Sequence, residues 1–143
     1  VVDTEHDEWF ADLPVVLRTE EAQLEVCAKK LDDLSVTWST IDLAVTPTAW
    51  VEWTLKWRRD AHPALRRAAG QVIRQVSVME HSFTTQRVHP PAEPGEGRSS
   101  GWLLGGLVLE LDQGCLQIYN ALDENGLSSE PPRRSPDFRM TVV

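Results

Sequence analysis

The stretch from Gly101 to Leu122, GWLLGGLVLELDQGCLQIYNAL, leaves the chain the least freedom. Leu107, Leu109 and Leu111 alternate with other residue types, and Leu116 and Ile118 alternate beyond Asp112-Gln113-Gly114. Alternation puts one side chain in two on a common face, and a glycine able to take positive φ closes the turn between the two runs. The prediction is a C-terminal β-hairpin over residues 102–111 and 115–121. Gly105-Gly106 marks a bulge or a close backbone approach on its first strand.

Other segments are read against that anchor. TEEAQLEVCAKKLDDL, residues 19–34, predicts an N-terminal helix. Thr19 is its N-cap, Glu20 and Glu21 occupy the first turn, and Lys29 and Lys30 follow. Leu24, Cys27, Ala28, Leu31 and Leu34 form an apolar stripe at helical spacing, which makes Cys27 a packed small residue rather than a nucleophile. AWVEWTLKWRR suits either structure: Trp50, Trp53 and Trp57 have helical spacing, but nine residues alternate strictly, so a strand over 49–58 is predicted. VTWSTIDLAV, 36–45, is its expected hairpin partner, with Thr46-Pro47 at the bend. DAHPALRRAAG predicts a short helix, capped at Asp60 or His62, opened by Pro63 and stopped by Gly70. The Val- and Ile-rich run 72–85 predicts a strand, and FRMTVV, 138–143, a last edge strand. Residues 87–100 read as a proline- and glycine-rich loop and 128–137 as an irregular tail. The expected fold is α+β, an N-terminal helix packed on a mostly antiparallel sheet, and 143 residues suit a single domain over 1–143.

IYNALDENGL, Ile118–Leu127, sets the functional question. It runs from a strand into a turn carrying Asn120, Asp123, Glu124 and Asn125. Turn formation accounts for Asn125 and Gly126, because Asx side chains bond the local backbone and tolerate left-handed φ. It accounts only partly for Asp123 and not for Glu124. A calcium loop would place oxygen ligands at alternating positions over about twelve residues, and NALDENGLSSEP has another rhythm. That leaves a plain turn, an acidic knob facing a partner, or a catalytic or metal-binding carboxylate.

The remaining candidates are His81 and the tryptophans. His81 and Glu80 are neighbours on a predicted strand and point to opposite faces, so a general base at His81 needs Glu110 or Asp123 from another strand. Trp53, Trp57 and Trp102 fill a core or line a pocket. Trp50 falls on the polar face, among Glu52, Thr54, Lys56 and Arg58, where an aromatic is a contact residue. The chain has no GxSxG, P-loop or GxGxxG pattern, and no metal or cofactor is expected.

The net charge of −8 and pI near 4.9 argue against nucleic acid and anionic membranes and suit a basic partner. Acids dominate residues 1–33 and bases dominate 47–74; the acidic segment folded back over the basic one is one reading, and two solvated faces is the favoured one. Cys27 and Cys115 are too few for a disulfide framework, though one long-range bridge stays open, and a reducing cytoplasm is expected. No apolar run reaches membrane length, and no basic-then-apolar leader opens the sequence. The leading expectation is therefore a small acidic, non-enzymatic, cytoplasmic interaction protein. Its concrete form is an immunity or antitoxin-type inhibitor that binds a basic protein through Asp123, Glu124, Trp50 and Asn120. The alternative is a small-molecule-binding or hydrolytic domain whose pocket is formed by His81, Trp53, Trp57 and Trp102. An exposed hairpin edge also leaves a homodimer open.

Overall fold

The computed structural model describes residues 1–30, 33–49, 51–87 and 97–143. In chain order the elements are β1 (Val2–Asp3), β2 (Val15–Arg18), β3 (Gln23–Lys29), β4 (Asp33–Trp38), β5 (Leu55–Lys56), α1 (Pro63–Ala68), β6 (Ile73–Gln86), β7 (Arg98–Leu111), β8 (Gly114–Asn120), β9 (Asn125–Ser128) and β10 (Phe138–Val142). They make a five-stranded antiparallel sheet in the order β10-β6-β7-β8-β9, a three-stranded antiparallel sheet β2-β3-β4, and a two-stranded ribbon β1-β5.

The fold is mostly β, which corrects the expected α+β arrangement of an N-terminal helix on a sheet. Within 19–34, Gln23–Lys29 is a strand. Thr19 does use its hydroxyl as a helix cap would, accepting from the Glu21 and Ala22 N–H groups. The chain then turns back instead, with Thr19 N–H donating to the Ala22 carbonyl. Leu24, Val26 and Ala28 carry a period of two that competes with the helical stripe, and pairing on both sides, to β2 and β4, selects it. Cys27 lies half-buried on that strand, and both cysteines are free.

Two further predictions fail for related reasons. The strand expected over 36–45 lies at Asp33–Trp38 and pairs with β3, not with residues 49–58. Beyond it the backbone turns at Ser39 (φ 51°). Residues 40 and 41 are then held by the Glu25 carboxylate, which accepts from the N–H groups of Thr40 (2.7 Å) and Ile41 (2.8 Å). Of the described residues in 49–58, only Leu55–Lys56 is a named strand, paired with β1; Val51 takes φ 54°, which breaks the alternation.

The helix α1 and the strands β6, β7, β8 and β10 follow the predicted pattern, whereas β1, β2 and β9 were not expected. α1 is capped by His62, whose Nδ1 accepts from Ala64 N–H (3.2 Å), and Pro63 opens the helix. β6, β7 and β8 lie at the predicted strands, and Gly114 closes the β7–β8 turn at φ 101°. β7 is longer than expected: Arg98–Ser100, assigned to the 87–100 loop, pair with β6, while 88–96 lie outside the described residues. The register shifts by one residue between Met79 and Glu80, so that Gly105 is bulged.

Leu107, Leu109, Leu116, Ile118 and Leu127 from the large sheet meet Val15, Val26 and Leu34 from the small sheet and Ala64 from α1. That shared core holds the two sheets face to face. Among the described residues, no helix is long and apolar enough to cross a membrane.

Candidate functional site

The turn between β8 and β9 spans Ala121 to Glu124, two residues earlier than expected, and is closed by Ala121 N–H donating to the Glu124 carbonyl (2.7 Å). Its central residues Leu122 (φ 61°) and Asp123 (φ 72°) both lie in the left-handed region. A two-residue hairpin turn of this hand is usually filled by Asn-Gly or Gly-Gly. Here the Asn-Gly pair follows instead, as the start of β9. Gly126 is required there because a Cβ would fall onto the Tyr119 ring.

The two asparagines anchor this turn to the small sheet. Asn125 is 2% exposed; its Oδ1 accepts from Ala28 N–H (2.7 Å), and its Nδ2 donates to the carbonyls of Ala11 (2.6 Å) and Leu13 (2.8 Å). Asn120 donates from Nδ2 to the carbonyls of Lys29 (2.6 Å) and Asp33 (2.7 Å) and accepts from Asp123 N–H at Oδ1 (2.8 Å). Asn120 is thus a strut whose amide is committed within the chain. Asp123 and Glu124 remain exposed, and Leu122 stands 88% exposed between the anchored ends. Asp12 and Asp33, with Lys29, border the same anchor points. The sequence signalled a turn in this stretch but assigned it to Asn125 and Gly126, which open β9 instead. Leu122 was missed, because nothing in the sequence marks a leucine as the left-handed residue until the register is known.

The other candidates do not come together. Trp50 lies outside the described residues. His81 pairs on β6 with Leu103 and Phe138, its ring edge-on to Phe138 at 6.4 Å. Glu110 sits opposite Gln75 and Cys115, at the other end of the hairpin, and Asp123 lies beyond the end of β8, two strands over. Glu80, on the opposite face from His81, is taken by Arg139, which donates from Nε (2.7 Å) and Nη2 (2.8 Å). That hydrogen-bonded guanidinium holds the Glu80 carboxyl below its ordinary value despite partial burial. Arg139 also lies over Trp102, 4.6 Å from its ring centre. Trp53 packs against His6 (5.5 Å) and Phe10 (6.2 Å). Trp57 donates from Nε1 to the Val45 carbonyl (2.9 Å).

Trp57 does line an open groove of about 1300 Å³ between β2 and α1. Val15, Leu17, Leu65, Leu109 and Leu111 give it apolar walls, with Arg18, Arg59 and Asp60 also bordering it. Trp9, edge-on to His62 at 4.8 Å, is the second tryptophan there, while Trp53, Trp102 and His81 are not part of the lining. Among the described residues no three of His, Cys, Asp and Glu are grouped to hold a metal ion.

The buried carboxylates have structural partners. Glu25 would be raised by its burial, but donors from Thr40, Thr37, Gln23 and Ile41 outweigh that and hold it down to about 2. Asp3 accepts from Glu5 N–H, His6 N–H and the His6 ring, and those donors lower it against its burial. Burial pushes both the Cys27 and Cys115 thiols up, away from the reactive thiolate. Comparisons of the chain with protein-family models, with curated proteins and with solved structures find no match.

Proposed function

We propose that the chain is a protein-interaction domain that binds a basic partner through the β8–β9 turn, in the manner of an immunity or antitoxin-type inhibitor. One observation carries this reading. Leu122 and Asp123 occupy left-handed positions at which a non-glycine residue costs about 1–2 kcal/mol, and Leu122 gains no packing in return. Six hydrogen bonds from two asparagine side chains hold this exposed Leu-Asp-Glu tip in place. An apolar tip flanked by carboxylates on a preorganised turn suits a pocket with a basic rim, and the −8 net charge would speed encounter. A reducing, cytoplasmic setting accords with the free thiols at Cys27 and Cys115.

The test compares wild type, Leu122→Gly and Asp123→Ala/Glu124→Ala as baits in native lysate at low and moderate salt. The expected result is one basic protein, released by salt and lost from both variants. Leu122→Gly should also melt higher than wild type, since it relieves the left-handed leucine. No salt-sensitive partner, or equal retention by all three baits, overturns the reading.

The alternative of a ligand-binding or hydrolytic domain retains the groove beside Trp57. Saturable uptake of a hydrophobic dye, abolished by Leu65→Trp, would favour it; no uptake would remove it.

A further inference from the structure

We infer that β10 is a self-pairing edge through which two copies of this chain join their five-stranded sheets across a two-fold axis centred on Met140. This goes beyond the tip-binding reading and does not rest on it. β10 is the outer strand of its sheet, and all five of its residues are exposed. Phe138, Met140 and Val142 leave 42%, 46% and 62% of their surfaces open on one row. An apolar edge with no lysine, proline or bulge is a pairing template. β2, by contrast, opens behind Pro14 and ends in Arg18, and β9 is only four residues long.

Backbone direction selects the register. Val143 N–H donates to the Val76 carbonyl and Ser82 N–H to the Asp137 carbonyl, so odd-numbered residues of β10 face β6. The N–H and C=O groups of the even-numbered residues therefore point outward. Antiparallel pairing about Met140 engages all five residues and sets Phe138 against Val142, and Met140 against its own copy. It also sets Arg139, the strand's one charged residue, against neutral Thr141. Arg139 already carries its counter-charge, Glu80, within the same protomer. Centring the axis on Arg139 would oppose two guanidinium groups instead. The surface is thus complementary to itself, as an isologous contact requires, and charge distinguishes the register.

The test is sedentimentation-based, on the purified chain. Wild type should dimerise with concentration. Dimerisation should strengthen as salt screens the repulsion between two chains of charge −8, the reverse of the salt response of a basic partner. Met140→Pro removes an outward N–H from each copy while leaving the bonds to β6, and should weaken association roughly thirtyfold. Met140→Lys, which opposes two ammonium groups, should be monomeric, and mixing it with Met140→Glu should restore the dimer even if the proline variant folds poorly. Met140→Cys should oxidise to a covalent dimer, because hydrogen-bonded antiparallel partners lie about 5.5 Å apart at Cα. Val142→Cys should not, its copy being about 13 Å away along the strand. A wild type that stays monomeric at all concentrations overturns the inference. So does a dimer indifferent to Met140→Lys, or one crosslinked equally through position 142.

Discussion

Asn125 shows how one side chain can stabilise an arrangement that its local sequence does not announce. In isolation Asn-Gly signals a turn, yet here the amide satisfies three backbone groups from two other segments. Asn125→Ala would remove the side-chain partner of the Ala28 N–H and of the Leu13 carbonyl, while the Ala11 carbonyl keeps the backbone N–H of residue 125, and should cost about 2–4 kcal/mol, read from the urea midpoint. The histidines make opposite predictions. Burial first, and Arg66 second, lower the pKa of His62, whose Nδ1 must stay unprotonated to cap α1. The unfolded chain therefore takes up that proton first. The stability due to His62 is whole above pH ~6.5 and is lost as pH falls through that value toward the lower folded one. His6 is raised, chiefly by its hydrogen bond to Asp3, so its contribution is whole below pH ~6.5 and is lost as pH rises through the folded value. Urea midpoints between pH 5 and 8 should rise more steeply with pH in His6→Ala than in wild type. In His62→Asn, where the amide still caps the helix, the rise should flatten.

Among the elements, those built from local signals were the legible ones. α1 has its cap, its proline and its following glycine in one short stretch. The β7–β8 hairpin combines alternation with a glycine turn, and β6 and β10 are β-branched or apolar in period two. Residues 19–34 had two periods in one segment, and the cap at Thr19 serves a helix and a tight turn equally. Glu25 settles the matter. A helix would expose it, whereas the strand buries it under five donated hydrogen bonds from Gln23, Thr37, Thr40 and Ile41. Glu25→Gln should release residues 39–41, with faster amide exchange at Thr40 and Ile41 than in wild type, while Val26 keeps its protection. Equal exchange in both proteins would show that the carboxylate does not hold the loop.

For the whole molecule, the two sheets depend on one apolar cluster, with Ile118 and Leu116 at its centre. Ile118→Ala should cost about 2–5 kcal/mol and lower the melting temperature cooperatively, whether followed through tryptophan emission or backbone circular dichroism. The sequence by itself determined the strands whose alternation, turn residues and flanks agree. It did not determine which strands pair, because pairing depends on partners distant in the chain. β4 leaves its expected neighbour for β3, and residues 49–58 give up their alternation for two rungs with β1. Nor did it reveal that Asn120 is a strut, that Leu122 is the tip, or that Trp53, Trp57 and Trp102 lie apart. Those are consequences of register and packing: moving a strand by one residue exchanges its faces, and only the assembled core decides which face is bought at the expense of the other.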